Sequence, residues 1–373
     1  MDLKEVEKNT IFLFMRGSQA YGTNIATSDI DVGGVCLPSM EVILGVDSFE
    51  VMDEWVDENG EKTDKSIYSL DKFFKMATEC NPNILDFLFA PDRCLMQTSD
   101  IWEEIKANRH IFLSKKCKAS FQGYAISQLR RIETHRGYLL NPPIKPERIN
   151  FNLPPISVFP ETQYEVIARI ASEWVDEKSK EAFYDDMSRF LDHEAVIVFK
   201  KYISAETHRF AIEDFKRRQK EWLRMFTSIK PNFLKEEFQD MAQQELKYLV
   251  AKKNWESYVS WEKNRNEKRK ELEKIAGFDT KHASHLIRLL RMCCEILEGK
   301  GILVDRTNID AKELISIRNG EFTFKQVLEM AEELNFKADS LHSVCTLPDE
   351  PDRKAINNLQ MKILKNHIKK EME

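Results

Sequence analysis

Short apolar runs separated by polar turns mark the first part of the chain. Residues 11–16 form an apolar run that stops at Gly17, which predicts a buried strand. Residues 29–37 alternate polar and apolar positions up to Pro38, which predicts a second strand. A shorter run at 66–68 is a candidate third strand. Side chains alternate along a strand, so this pattern places Asp29 and Asp31 on one face and turns Ile30 and Val32 into the core.

The spacing of apolar residues becomes helical from Ser69 onwards. Ser69 is the expected N-cap of a helix that runs to Cys80, and the Asn-Pro-Asn sequence at 81–83 breaks that helix and begins another. Helical patterns follow at 99–108 and 115–140. Strands therefore cluster near the N-terminus and helices fill the rest. The predicted fold class is α+β: a small mixed β-sheet domain with flanking helices, followed by a largely helical C-terminal region.

Proline content and length suggest how the chain divides. A length of 373 residues fits two or three domains, and six prolines between 142 and 160 indicate a linker. We expect a small sheet domain at 1–140, a helical insertion at 141–275 and a helical C-terminal domain at 276–373. The C-terminal domain is expected to close over a cleft in the sheet domain.

Charge and cysteine content narrow the class of protein. A net charge of -6 argues against nucleic-acid binding through bulk positive charge, although a local basic patch remains open. Seven cysteines without a CxxC pair are typical of reduced thiols. The N-terminus lacks the pattern of a signal peptide, and no apolar stretch approaches the ~18 residues of a membrane span. We therefore expect a cytoplasmic protein without membrane contact.

Residues 16–31 carry the strongest chemical signal. Gly17 lets a ligand approach the backbone, while free amides and the Ser18 hydroxyl offer donors to a phosphate. Asp29 and Asp31 on one strand face lie about 7 Å apart, repel each other and favour a hard cation such as Mg²⁺. A phosphate seat beside paired carboxylates is typical of phosphoryl or nucleotidyl transfer. The alternative is an Asp-x-Asp in an ordinary surface strand or turn.

The same residues resemble a known signature. Gly17-Ser18-x-Ala20-Tyr21-Gly22 followed by Thr27-Ser28-Asp29-x-Asp31 resembles the active-site pattern of the DNA polymerase β superfamily, and within it the RlaP-like group of predicted nucleotidyltransferases found in bacteria and phages. The likeness covers roughly residues 10–95 and 275–335, with further matching segments at 69–74, 81–89, 280–291 and 317–321. One departure is Gly33-Gly34, where the family pattern has a polar or charged residue.

The resemblance implies a set of site residues. Two Mg²⁺ (or Mn²⁺) ions would be held by Asp29, Asp31 and a third carboxylate on a later strand, for which Asp64 matches the family position. Gly17 and Ser18 would bind the outer phosphates of a nucleoside triphosphate. Lys281, His285, Arg288 and Arg291 recur at helical spacing, and we expect Lys281, His285 and Arg288 to face the nucleotide across the cleft. A solvated basic face is the alternative for this segment. A metal pair formed by His282 and His285 is less favoured than a packing role.

The implied activity is a metal-dependent transfer of a nucleoside monophosphate from NTP, ATP among the candidates, to a hydroxyl group, with release of pyrophosphate. RNA or tRNA is the favoured acceptor. Two alternatives stay open: an inactive nucleotidyltransferase fold that serves as a binding or scaffold module, and a toxin-like enzyme that modifies tRNA or protein.

Two basic stretches could bind nucleic acid. Residues 252–270 hold seven Lys or Arg around Trp255, Tyr258 and Trp261, but a helical packing stripe is the favoured interpretation of these aromatics. The run at 216–220 has the same status.

Overall fold

The computed structural model describes residues 1–25, 28–53, 55, 63–155, 236–265 and 267–373. The chain divides into two compact units, the first formed by 1–140 with 266–373 and the second by 141–265. The basic run at 216–220 lies outside the described residues.

The sheet belongs to the first unit. In the described part of the chain it has five strands: β1 (Thr10–Met15), β2 (Val32–Cys36), β3 (Val51–Met52), β4 (Lys65–Ser69) and β5 (Leu95–Gln97). Their order is β3-β4-β2-β1-β5, with β2 and β4 parallel and the other neighbours antiparallel. The sheet is small and mixed, which together with the helical second half confirms the α+β prediction.

Helices surround this sheet. The first 140 residues contain α1 (Leu3–Lys8), α2 (Ser18–Tyr21), α3 (Met40–Leu44), α4 (Leu70–Thr78), α5 (Pro82–Leu88), α6 (Asp100–Ala107) and α7 (Lys116–Leu140). The caps predicted from sequence are present, since the Ser69 side chain accepts a hydrogen bond from the Lys72 amide and Asn81 accepts one from Asn83.

The later helices are longer. Unit 2 contains α8 (Glu236–Lys263) and a single 3₁₀ turn at Arg148–Phe151 among its described residues. The chain then returns to the first unit with α9 (Glu267–Ala276), α10 (Thr280–Leu297), α11 (Ala311–Arg318), α12 (Phe324–Val344) and α13 (Arg353–Met372). Within the described ranges, no helix is both long enough and apolar enough to cross a membrane.

The aromatic residues of α8 pack locally. The guanidinium of Arg265 lies 4.3 Å from the centre of the Trp261 ring, and Tyr258 lies 6.0 Å from the same ring. The ammonium of Lys145 lies 5.7 Å from the Trp255 ring. These contacts agree with the packing interpretation of the stripe.

One hydrophobic core joins the sheet to the helical half of the first unit. Phe12 of β1 stacks on Trp102 of α6 with ring centres 3.9 Å apart. The same core contains buried residues of α7 and of α10, Ile287 and Leu290 among them. The sheet and α10 are therefore held in one packed body, which fixes the distance between the residues that each contributes to the site.

One expectation about β2 needs correction. The strand begins at Val32, so Asp29–Asp31 precede it, and Ile30 is 60% exposed rather than buried in the core. Gly33 and Gly34 lie inside the strand, within the range predicted from sequence. A Cβ on Gly33 would lie 2.7 Å from Cζ of Phe87, so glycine is required here by the close packing of α5 on the sheet.

Candidate active site

Three carboxylates meet at the ends of two parallel strands. The Arg16 amide donates to the Asp31 carbonyl (2.8 Å) and the Val32 amide donates to the Asp64 carbonyl (2.9 Å). Val32 pairs with Lys65 in the ladder, which places the preceding residues, Asp31 and Asp64, side by side. Asp29, Asp31 and Asp64 all line one cleft of about 650 Å³, together with Gly17 and Ser18.

The pKa of Asp31 depends on its burial and on the charges of the neighbouring residues. Burial raises the pKa of the Asp31 carboxyl above its usual range, and the neighbouring charges of Asp64 and Asp29 raise it further. The cations of Arg16 and Lys281 lower it without cancelling the rise. Like charges at this range disfavour ionisation of the carboxyl groups, so a nearby positive charge would stabilise the ionised cluster.

Gly17 has a conformation that the site requires. Its backbone angles are φ 64° and ψ -137°, a region that is essentially restricted to glycine. A Cβ at this position would lie 2.5 Å from Oδ2 of Asp31. The turn therefore brings the backbone of Gly17 and the Ser18 hydroxyl directly against the carboxylate cluster.

Three arginines donate hydrogen bonds to carbonyl groups of the short helix α2 and of Thr23, two residues beyond its end. Arg93 donates from its guanidinium to the carbonyls of Gln19 (2.8 Å) and Ala20 (3.0 Å). The backbone amide of Arg306 donates to Tyr21 (3.1 Å), and the Arg318 side chain donates to Thr23 (3.1 Å). Two of these donors come from the C-terminal half, so residues far along the chain fix the Gly17–Ser18 turn.

Helix α10 also lines the cleft. Lys281, Ser284 and His285 line it, joined by Arg318 and Asn319 from the end of α11. Burial lowers the pKa of His285 well below its usual range, and the positive charges of Arg288 and Lys281 lower it further. His285 is therefore neutral at physiological pH, and the positive charge that α10 brings to the cleft is that of Lys281.

Arg288 lies in an adjoining cavity of about 180 Å³ instead of in this cleft. Its guanidinium is buried 3.7 Å from the centre of the Tyr21 ring, and the Tyr21 hydroxyl donates to the buried carboxylate of Asp86. Gly17, Asp31 and His285 line this adjoining cavity as well, so Arg288 shares a cavity with one of the three carboxylates, whereas Lys281 and His285 line the larger cleft with all three. Arg291 is paired elsewhere, with Asp310 and Glu313 at 2.7 Å each.

Some residues of the site were not anticipated from sequence. Asp86 sits within an apolar helical run, and its burial could have been inferred from that pattern alone. Arg93 and Arg318 carry no local signal, because their partners are carbonyls 74 and 295 residues away in the chain. His282 pairs with Asp279, with its Nδ1 2.6 Å from Oδ2 of that carboxylate, and its ring centre lies 6.4 Å from that of His285.

Comparisons with known proteins agree with this geometry. Residues 2–149 match the sequence model of RlaP, described as the RNA repair pathway DNA polymerase beta family, which confirms the resemblance inferred from sequence. The matched segment contains Gly17, Ser18 and all three carboxylates. No solved structure matches the chain.

A curated relative comes from Enterobacteria phage T4, the "Uncharacterized 38.9 kDa protein in nrdC-mobD intergenic region". It is 32% identical over 119 residues, which cover 30% of this chain and 35% of the relative. The chain thus matches about a third of that protein's length.

Proposed function

We propose that this chain, whose residues 2–149 match the RNA repair pathway DNA polymerase beta family, transfers a nucleoside monophosphate from NTP to a hydroxyl group of RNA. The observation that carries the proposal is the single cleft that Asp29, Asp31 and Asp64 line together with Gly17, Ser18 and Lys281. A purely structural role gives no reason for three acids to share a solvent-filled cleft with a glycine–serine turn.

The donor set fits magnesium. Its ligands would be carboxylate oxygens from Asp29, Asp31 and Asp64, the type that Mg²⁺ and Mn²⁺ prefer. Burial first, and then repulsion from Asp64 and Asp29, raise the pKa of Asp31, and a bound cation would favour its ionised form. Two ions bound there would neutralise charge on the triphosphate and acidify the attacking hydroxyl. Magnesium removal should therefore abolish transfer.

The protein groups have distinct tasks around that centre. In this proposal the Gly17 backbone and the Ser18 hydroxyl hold the outer phosphates and Lys281 of α10 offsets their charge, which their shared position along one cleft supports. His285, held neutral, can donate or accept one hydrogen bond without adding charge. In the reaction the acceptor oxygen forms a bond to the α-phosphorus, the bond from that phosphorus to the bridging oxygen breaks, and pyrophosphate leaves.

RNA is favoured as the acceptor by the description of the matched family. The net charge of -6 means that contacts to such an acceptor would be local, and Lys281 and Arg318 supply positive charge at the cleft itself. Protein or tRNA modification would use the same three carboxylates, so the acceptor is an outcome of the experiment below.

The test is incubation with each NTP radiolabelled at the α-phosphate, with Mg²⁺ and either total RNA or protein lysate. We expect label in RNA, loss of that label in Asp31→Asn, and full labelling in Asp53→Asn, an exposed acid outside the cleft. Absence of transfer with every NTP in the presence of Mg²⁺ or Mn²⁺ would leave the scaffold alternative. Label in protein instead of RNA would reject the acceptor while keeping the chemistry.

A further inference from the structure

We propose a second metal site, separate from the cleft, formed by His135, Asp279 and His282 and suited to Zn²⁺. The three residues come from the last third of α7, the residue that caps α10, and the first turn of α10. The proposal does not depend on nucleotidyl transfer and uses none of the residues that line the carboxylate cleft.

The candidate ligand atoms converge on one point. Nδ1 of His135 lies 3.0 Å from Oδ2 of Asp279, and Nδ1 of His282 lies 2.6 Å from the same oxygen. All three atoms lie within 4.8 Å of one another. Two imidazoles from different helices therefore present the same ring nitrogen to one carboxylate oxygen.

This donor set is one that zinc uses. Zinc binds histidine nitrogen and carboxylate oxygen at about 2.0–2.1 Å, so tetrahedral ligands stand about 3.3 Å apart. To reach that spacing from Oδ2 of Asp279, Nδ1 of His135 would move by about 0.3 Å and Nδ1 of His282 by about 0.7 Å. Two neutral histidines and one carboxylate leave a net negative site and a fourth position open to water or a ligand.

The carboxylate is already oriented. Its Oδ1 accepts the His282 backbone amide at 3.0 Å as the N-cap of α10, which leaves Oδ2 pointing at the two rings. The Asp279 side chain is 7% exposed, and the His135 and His282 side chains are 19% and 21% exposed. A buried anion flanked by partly exposed nitrogens gives an ion both a fixed anchor and an entry path.

An ion at this position would fasten α7 to the beginning of α10. The residue before His282 is Lys281, and the next turn carries Ser284 and His285, all of which line the cleft. An ion at this site would therefore stabilise the part of α10 that lines the carboxylate cleft. A hydrogen-bonded triad without an ion is the competing account, and it makes different predictions.

The experiment uses Co²⁺ as an optical probe on the full chain carrying Asp29→Asn and Asp31→Asn, which removes two of the three cleft carboxylates. After chelator treatment and dialysis, we expect one Co²⁺ per chain with visible d–d absorption, displaced by Zn²⁺. The absorption should be lost in His135→Ala and in His282→Ala. It should be unchanged in His110→Ala, an exposed histidine in the turn before α7.

The variant His135→Asn distinguishes a metal site from a hydrogen-bonded triad without an ion, because asparagine can still donate a hydrogen bond to Asp279 but is a poor zinc ligand. We expect this variant to stay folded by circular dichroism, to lose Co²⁺ absorption, and to lose the rise in melting temperature that Zn²⁺ gives the parent. Absence of cobalt absorption in the parent, or absorption that survives both histidine-to-alanine substitutions, would overturn the proposal.

Discussion

The cleft keeps its geometry only if residue 17 is a glycine, whose side chain is a hydrogen atom. The backbone angles of Gly17 suit only glycine, and a Cβ would meet the Asp31 carboxylate at 2.5 Å. Either Asp31 or the turn has to move when any side chain is added, and both are parts of the proposed catalytic centre.

Gly17→Ala should therefore lower kcat by about 100-fold, the order of loss that follows displacement of a catalytic group by about 1 Å. The matched control is Gly123→Ala on α7, where an added Cβ has no atom within 4 Å. That control should keep full activity and gain up to about 1 kcal/mol in free energy of unfolding. Steady-state kinetics and urea denaturation measure the two effects, and equal activity of both variants would contradict the role of the turn.

The third carboxylate can be tested by itself. Asp64→Asn keeps the shape of the side chain but removes the charge beside Asp31, so we expect a loss of at least about 100-fold in kcat. The pKa of Asp31 should fall in the variant, because the Asp64 charge is one of the causes that raise it. Asp47→Asn, an exposed acid earlier in the chain, should match the wild type in turnover. Wild-type turnover of Asp64→Asn would remove Asp64 from the site.

Sequence reasoning reached these residues because their signal is local. Gly17, Ser18, Asp29 and Asp31 lie within fifteen consecutive positions and carry a recognisable spacing. The same reasoning failed at Ile30, since an alternating pattern does not show where the ladder begins. Arg288 lines the smaller cavity beside Asp31 and not the larger cleft, a distinction that helical spacing cannot make because it gives a face but not the depth to which that face is buried.

At the scale of elements, a buried arginine fastens the segment between α10 and α11. Arg306 is fully buried and donates to Asp310 from two nitrogens (2.7 and 2.8 Å) and to Glu295 (2.5 Å). Burial by itself raises the pKa of Asp310, but the hydrogen bonds from Arg306 and Arg291 outweigh burial and leave it below its usual range. The lowered pKa means that the ionised form stabilises the fold.

Asp310→Asn should lower the free energy of unfolding by about 3 kcal/mol at pH 7, because it leaves the Arg306 charge partly unpaired in the interior. Since the pKa is lowered in the folded state, the wild-type advantage is complete above the unfolded value of about 3.9 and is lost as pH falls through the folded value. Urea denaturation at neutral and acid pH measures both. The control is Asp349→Asn, which removes an exposed ion-pair partner of Lys115 and should lower the free energy of unfolding by at most about 1 kcal/mol. An equal loss of stability in the two variants would contradict the prediction.

Helices were easier to anticipate than strands. The caps at Ser69, Asn81 and Ser99 are readable because the capping residue and its partner are two or three positions apart. Strands β3 and β5 have two and three residues, too few for any alternation to be visible. The approach of His135 to Asp279 spans 144 positions and depends on how α7 packs on α10, which no local pattern encodes.

At the scale of the whole molecule, the second unit interrupts the first. The chain leaves unit 1 after Leu140 and returns at position 266. Among the described residues, the large core that joins the sheet to α7 and α10 has no member between 141 and 265. Within the described residues, this core is therefore formed by the first unit alone.

A chain in which a glycine–serine linker replaces 141–265 should fold and keep the NTP affinity of the full protein. Circular dichroism, melting temperature and equilibrium binding of NTP measure this, and Asp31→Asn in the shortened chain is the control for binding at the carboxylate cleft. Transfer to RNA then reports whether the second unit serves the acceptor. A shortened chain that is unfolded would contradict the independence of the first unit.

The anchoring of α2 by Arg306 and Arg318 has a consequence for shorter genes. An open reading frame that stops near position 149 would encode the entire matched segment and still lack the donors that bind the carbonyls of Tyr21 and Thr23. We expect such a product to lack the proposed transfer activity, however well its signature is preserved. Co-expression of residues 266–373 as a separate polypeptide is then the natural route to reconstituting it, in the manner of a split enzyme.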